Sequence, residues 1–386
     1  MANEETLRLE AIELHMHGVK VAEIARRLGR SRQWVHKWIK RQRDGDDGWE
    51  RSLSNAPHIK ANKTNDELEE QVVSARNRLA ALPHMESGAY AILHDLSASG
   101  IEPPSVATIN RILKRRHLTR EKVPYQKSGI DYPEPPLNMQ IMDLIGPRYI
   151  RGGQRYYLLT IISNDTRHAG VYPILSKSGR DITNSVVAFW KEYTVPDFLQ
   201  LDNELSFKGS NRHPRGLGML LRTALSHNVT PIFIPVSEPW RNGVVERFNQ
   251  KVERTLLNQE HSSFADLQQH AAEFMETHNQ LHYYSTLGHK TPLQLDQELQ
   301  VPIVPIDTDY EVEERLELDE NNLNEIRFIR LVRSDLNINI LNTNIAIVPE
   351  LMHTYVEAVL LINKHRLLIR QDGTTKQSVE FIMPLK

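Results

Sequence analysis

The sequence predicts a multidomain protein with an all-α front, a central α/β core and a small β-barrel at its end. Three observations carry this. Through residue 122 the apolar residues recur at helical spacing, broken by Gly and Pro. From Tyr132 short apolar runs alternate with amphipathic helical segments, the pattern of a mixed sheet with helices packed on it. Beyond residue 324, short alternating strands follow one another across Asn and Gly turns. The expected domains are 1–50, 62–122, 132–300 and 324–386.

The first element in order is a helix-turn-helix in VAEIARRLGRSRQWVHKWIKRQRDG. Val21, Ile24, Ala25 and Leu28 form the stripe of one helix, Gly29 breaks it, Ser31 can cap the next, and Val35, Trp38 and Ile39 supply the next buried face. Arg30, Arg32, Gln33, His36, Lys37 and Lys40 remain as long donors, suited to phosphates and base edges in a major groove. The alternative is a three-helix bundle with a solvated basic face. A linker, 44–64, separates this unit from a second one. There a helix runs from Asn65 to Leu82, AYAILHDLSASG follows, and Ser105 caps a helix whose apolar face is Val106, Ile109, Ile112 and Leu113. Asn110, Arg111, Lys114 and Arg115 decorate its other face as a second set of DNA-binding candidates.

Composition limits the classes. At 386 residues, 40% hydrophobic and 25% charged, the chain is an ordinary globular protein of two to four domains. It has no cysteine, hence no disulfide and no thiolate zinc site. No apolar run approaches the roughly 20 residues of a membrane span, and the opening ANEETLRLE is polar. The expected location is the cytoplasm, on the nucleoid if the source is bacterial, with no membrane partner. Net charge is only −2, but between Lys20 and Arg43 nine basic residues meet one acidic residue, Glu23. Between Asp307 and Glu320 eight acidic residues meet one basic residue, a solvated linker by this reading.

The core opens with NMQIMDLIG, an apolar run carrying Asp143, then RYIRGGQRYYLLTIIS, a strand pair turning at Gly152 and Gly153. HAGVYPI is a third strand, SGRDITNSVVAFWKEY a helix, FLQLDNE a strand ending at Asp202, GLGMLLRTALSHN a helix and TPIFIPV a strand. The breakers Pro235, Pro239, Asn242 and Gly243 then lead into a helix with Val245, Phe248, Val252 and Leu256 on one stripe. Glu246 lies in its first turn, about 120° from the stripe centre. A carboxylate there suits the helix dipole, or it points into a site. Two strand carboxylates and a helix-start Glu have the composition of an oxygen cage for Mg²⁺, able to hold two ions that act on phosphorus chemistry. His168, His213 and His227 read as structural or exposed.

Asp143 in QIMDLIGP, Asp202 in LQLDNELSF and Glu246 in PWRNGVVERFNQKVERTL resemble the Asp-Asp-Glu triad of insertion-sequence transposases and retroviral integrases. NDTRHAGVYPI and HNQLHYYSTLGHKTPLQL resemble that family's third-strand region and the close of its catalytic domain. The resemblance implies a ribonuclease-H-like fold. It also implies metal-dependent cleavage and joining of DNA, with Asp143, Asp202 and Glu246 holding two Mg²⁺ ions, Mn²⁺ substituting, and a homo-oligomer on transposon ends and target DNA. There are departures. The 43 residues between Asp202 and Glu246 exceed the compact family spacing, with SFKGSNRHPRGLG as the extra loop, inert or DNA-contacting. Where relatives carry a Lys or Arg two turns after the Glu, this chain has Glu253, leaving Lys251 or Arg254 as substitutes. Glu204 is a possible extra ligand, while Asp165 and Glu238 read as loop or turn carboxylates. The terminal barrel offers Arg327, Arg330, Arg333, Lys364, Arg366 and Arg370 for DNA or subunit contacts, or a plain solvated surface. The rival function is a domesticated, non-catalytic DNA-binding regulator on the same scaffold.

Overall fold

A computed structural model describes residues 4–45, 48–52, 64–119, 131–209, 215–236, 238–300, 304–312 and 324–383. The chain divides into two compact units, 1–64 and 65–386.

The first unit is three helices, α1 (Glu4–Met16), α2 (Val21–Arg27) and α3 (Arg32–Arg43). The turn between α2 and α3 is made by Gly29 at φ +62°, a left-handed conformation that glycine adopts without strain. Ser31 starts α3, its Oγ accepting from the Trp34 amide at 3.1 Å. Ala11, Ile24, Ala25 and Val35 form the small shared core. Trp38 is buried with the Arg8 guanidinium 4.1 Å over its ring.

The second unit opens with α4 (Asp66–Ala81), α5 (Ala89–Ala98) and α6 (Val106–Arg115). Asn65 and Ser105 cap α4 and α6, accepting from the Glu67 and Thr108 amides. Val72, Leu79, Ile92, Leu96, Ile109 and Ile112 close their core. Glu69 is buried here and paired with both Arg115 and Arg116, so burial of its charge is compensated.

The core follows as β1 (Met139–Tyr149), β2 (Arg155–Ser163), β3 (Ala169–Ile174), α7 (Gly179–Glu192), β4 (Phe198–Leu201), α8 (Leu205–Lys208), α9 (Met219–Ser226) and β5 (Thr230–Phe233). A 3₁₀ turn at Pro239–Asn242 leads into α10 (Gly243–Thr255), then α11 (Phe264–Leu281) and α12 (Pro292–Glu298). β2 runs antiparallel to β1 and β3, whereas β4 lies parallel to β1 and β5 parallel to β4. This is the predicted mixed sheet. Alternation sends neighbouring residues to opposite faces. Met142, Leu159 and Ile161 pack in one cluster with Ile182, Phe189 and Trp190 of α7 and Leu221 of α9. Ile141, Leu158 and Ile162 pack in the other with Val245, Phe248 and Val252 of α10 and Leu267 and Phe274 of α11.

The expected C-terminal barrel is corrected. The remaining strands are β6 (Glu325–Leu331), β7 (Asn337–Ile340), β8 (Thr343–Ala346), β9 (Tyr355–Leu361), β10 (Arg366–Gln371) and β11 (Thr374–Glu380). β6 joins β5 in parallel register, Phe233 opposite Phe328, and β9, β10 and β11 add antiparallel beyond it. Among the described residues the result is one open nine-stranded sheet, β11-β10-β9-β6-β5-β4-β1-β2-β3, with β7 and β8 a separate hairpin. The physical reason is the open edge of β5, whose unpaired backbone groups β6 satisfies. The Phe233 and Phe328 rings stack at 5.2 Å, and Ile338, Ile340, Ile345 and Ile347 of the hairpin region extend the α7 cluster.

Candidate active site

Asp143 sits in the middle of β1, and Asp202 directly follows β4, the parallel neighbour of β1. Gln200 Nε2 donates to Asn242 Oδ1 at 2.7 Å, which ties the start of α10 to β4. The sharp entry and the Val245, Phe248, Val252 stripe then hold α10 on the sheet with Glu246 in its first turn. Asp143, Asp202, Asn203, Glu204 and Glu246 line one cavity of about 300 Å³. Glu246 also borders a larger cavity of about 850 Å³, lined among others by Tyr132, Arg167, Arg241 and Tyr284.

The electrostatics are those of negative charge awaiting a counter-charge. Burial pushes the Asp143 carboxyl up to about 6, and the charges of Asp202 and Glu204 push the same way. Asp202 is raised mainly by burial, then by Glu204, and Glu246 is raised by burial. Asp143 is nonetheless well oriented. Its Oδ1 accepts from the Leu144 amide and its Oδ2 from Asn249 Nδ2, both at 2.8 Å. Thr160 Oγ1 in turn donates to Asn249 Oδ1 at 2.8 Å. Asp202 Oδ1 accepts from the Glu204 amide at 2.9 Å, and Glu204 pairs with Lys177. The residues fit a hard divalent cation in donor type and unrelieved charge. The three carboxylates share the cavity, but among the described residues they do not form a cluster with all ligand atoms within 4.8 Å of one another.

The terminal strands hold this site from beneath. Arg330 of β6 is buried and donates to the Ile234 carbonyl at 2.9 Å and to Asn203 Oδ1 at 3.0 Å. Burial pushes its guanidinium down to about 10. Tyr355 of β9 donates to Glu238 Oε2 at 2.6 Å and accepts from Arg241 Nη2 at 2.9 Å, fixing the loop that enters α10.

Two segments match family models: a homeodomain-like domain over residues 2–50 and an integrase core domain over residues 227–292. That pairing bears out the resemblance to transposases and integrases. A search of curated proteins returned no match. Among solved structures the chain is similar to the HTLV-2 integrase catalytic core domain in complex with magnesium. Identity there is 15%, coverage 42% of this chain and 96% of that one, and the TM-score 0.33. It is also similar to a simian T-cell lymphotropic virus intasome in complex with PP2A regulatory subunit B56 gamma, at 14% identity, 76% and 99% coverage and a TM-score of 0.38. The fold described above rests on its own strand order, not on these likenesses.

Around the carboxylate cavity, several sequence expectations change. Lys251 is not available to DNA: it is buried, and its Nζ donates to His278 Nδ1 at 3.0 Å. Burial pushes that ammonium down to about 7. Glu253 pairs with Arg148 at 2.7 Å, and Arg254 stays exposed. Glu238 also lines the carboxylate cavity, its Oε2 accepting from Tyr355 and Arg241 in the loop before α10, and Asp165 accepts from the Asn138 amide as a turn residue. His168 pairs with Asp296 at 2.7 Å and stacks on Tyr193. His213 lies outside the described residues, as do residues 210–214 of the extra loop and 313–320 of the acidic stretch. In the homeodomain-like domain Arg32, Gln33, His36, Lys37 and Lys40 are exposed along α3, while Arg30 is partly buried and pairs with Glu4. On α6, Asn110, Arg111 and Lys114 are exposed, but Arg115 is committed to Glu69. Sequence reasoning missed Asn249, Thr160 and Tyr355, and it offered Arg330 to DNA or subunit contacts where the structure buries it against Asn203. Asn249 had a signal, three residues after Glu246 and therefore on the same helix face.

Proposed function

We propose that this protein binds the ends of a mobile DNA element and cuts and joins DNA with divalent metal ions. The observation that carries the reading is the convergence of Asp143, Asp202 and Glu246 from β1, β4 and α10 on one cavity, with Asp143 held protonation-prone by burial and by its acidic neighbours. Asp143 and Asp202 would hold or bridge two Mg²⁺ ions and Glu246 one of them, with Mn²⁺ able to substitute. Such ions, when bound, supply charge neutralisation at phosphorus and a lowered pKa for an attacking hydroxyl. Asn249 and Thr160 orient Asp143, and the Glu204 amide orients Asp202, so two of the three carboxylates are already positioned, and an ion would draw Glu246 toward them. Arg330 and Tyr355 hold the two loops that carry Asp202 and Glu246.

Recognition belongs to the helical units in this reading. The exposed donors Arg32, Gln33, His36, Lys37 and Lys40 would enter a major groove, and Asn110, Arg111 and Lys114 would add a second set of contacts. Two DNA ends must be joined to a target, so a homo-oligomer assembled on DNA is the expected working form.

The test is strand transfer of a labelled element end in Mg²⁺ or Mn²⁺, wild type beside Glu246→Gln. The reading requires joining by wild type and, in the variant, retained DNA binding with joining reduced by about 100-fold or more. If both proteins bind and neither cuts nor joins in either metal, a non-catalytic regulator is the better description.

A further inference from the structure

Away from the carboxylate cavity, three side chains meet at the start of α11. His261 lies in the loop before that helix, and Asp266 and His270 are four residues apart on one face of it. One ligand atom of each lies within 4.8 Å of the other two. His261 is buried, and its Nδ1 is 3.0 Å from His270 Nδ1. His261 Nε2 is 3.0 Å from the Leu256 carbonyl, which can only accept. The His261 proton is therefore on Nε2, and Nδ1 presents a lone pair. His270 Nε2 faces Asp266 Oδ1 at 3.6 Å, and a carboxylate there also favours the proton on Nε2. With the His270 proton on Nε2, two imidazole lone pairs face each other and a cation between them would satisfy both; with it on Nδ1, His270 donates to His261.

The surroundings point to a metal ion rather than a shared proton. Tetrahedral zinc with Zn–N bonds of about 2.0–2.1 Å separates two ligand nitrogens by about 3.4 Å, close to the spacing observed. Asp266 is already oriented: its Oδ2 accepts from the Ser262 amide at 2.7 Å and the Ser262 hydroxyl at 2.9 Å, leaving Oδ1 for a ligand. Independently, His84, between α4 and α5, is buried with neither ring nitrogen hydrogen-bonded. Its ring centre is 6.5 Å from that of His270 and 5.7 Å from that of Phe274, edge to face. A buried imidazole with two unsatisfied nitrogens is costly unless something completes it. Glu273 and Lys251 are the other charged groups near His84, and Gln269 donates to the Glu273 carboxylate.

We propose that His261, Asp266 and His270 bind a zinc-type divalent transition ion, and that His84, which lies just outside the three-ligand cluster, turns toward the ion as its fourth ligand. Two imidazoles and a carboxylate select zinc over magnesium, which prefers all-oxygen cages. The ion would clamp the α4–α6 helical unit, through His84, to α11 of the core. It would thereby fix the candidate DNA-reading helix α6 with respect to the helix pair beneath the catalytic sheet. The site is separate from the carboxylate cavity and does not depend on the function proposed for it.

The experiment is zinc content of the full chain after dialysis with zinc and then with excess Mg²⁺, for wild type, Glu246→Gln, His270→Gln and Asp266→Asn. The expected result is one tightly held zinc per chain in wild type and Glu246→Gln, none in His270→Gln, and affinity lowered about 10–100-fold in Asp266→Asn. Cobalt in place of zinc should give the visible bands of a tetrahedral nitrogen–oxygen site in wild type, and His84→Gln should alter them. Zinc should also raise the wild-type melting temperature by several degrees. Wild type holding no zinc, or a folded His270→Gln holding as much as wild type, overturns the proposal and leaves a histidine pair sharing a proton. If His270→Gln does not fold, the cobalt spectra of wild type and Asp266→Asn decide, identical spectra counting against the site.

Discussion

At the scale of single residues, the candidate site costs the fold stability. Asp143 is held at about 6 against an ordinary value of 3.8, so the folded state takes up its proton more readily than the unfolded state. Below pH 3.8 both states are protonated and the cost vanishes. It grows between 3.8 and 6, and above 6 it is complete, up to about 3 kcal/mol. Metal-free wild type should therefore lose stability as pH rises through that window, and Asp143→Asn should lose less, keeping only the costs of Asp202 and Glu246. At about pH 8 in chelator the variant should melt a few degrees higher. Thermal unfolding at about pH 5 and pH 8 checks this, and a variant equally destabilised at both would refute it. Lys251 behaves in the opposite sense. Its buried ammonium is pushed down to about 7 from 10.5, so the folded chain pays for the charge fully below pH 7 and progressively less up to 10.5. The stability of wild type relative to Lys251→Met should rise with pH between about 7 and 10. A flat difference would mean that Lys251 finds water or an anion in the fold.

At the scale of elements, α3 separates packing from recognition. Val35 and Trp38 hold it in the first unit, whereas Arg32, Lys37 and Lys40 are exposed, Lys37 meeting the core only through its ammonium 5.5 Å over the Trp38 ring. Replacing each of the three with Ala should leave the helical signal unchanged. For every phosphate that a variant no longer neutralises, the slope of log affinity against log salt should fall by about one, which a salt titration of DNA binding measures. Unchanged binding in all three would assign the basic face to solvent. On α10 the same division holds between Val245, Phe248 and Val252, facing the sheet, and Glu246 and Asn249, facing the cavity and Asp143. The local period made that helix and its stripe readable. The inward turn of Lys251 was also readable, since it falls between Phe248 and Val252 on the packed face, but a cationic side chain masked it.

At the scale of the whole molecule, the C-terminal segment is part of the core rather than an appendage. β6 covers the edge of β5, the hairpin extends the α7 cluster, and Arg330 and Tyr355 reach the loops of the candidate site. Removing residues 324–386 should expose Phe233 and an open strand edge, and the shortened protein should aggregate or lose cooperative unfolding. Solubility and thermal unfolding of 65–323 beside 65–386 test this. A soluble, cooperatively folded short form would mean the terminal strands are dispensable.

The sequence by itself determined most of the helices and strands, though not α1, α11 or α12, together with the caps at Ser31 and Ser105 and the three candidate carboxylates. Each of these is a local matter of period, cap chemistry or motif, written within a few neighbouring residues. Only the tertiary structure decided that the last strands extend a sheet instead of closing a barrel, because alternation describes a strand and not its partner. Only it showed Arg115 consumed by Glu69, 46 positions away, and Arg330 anchoring Asn203 across 127. Such pairings are chosen by which edges and buried charges the folded chain must satisfy, and no local pattern records that choice.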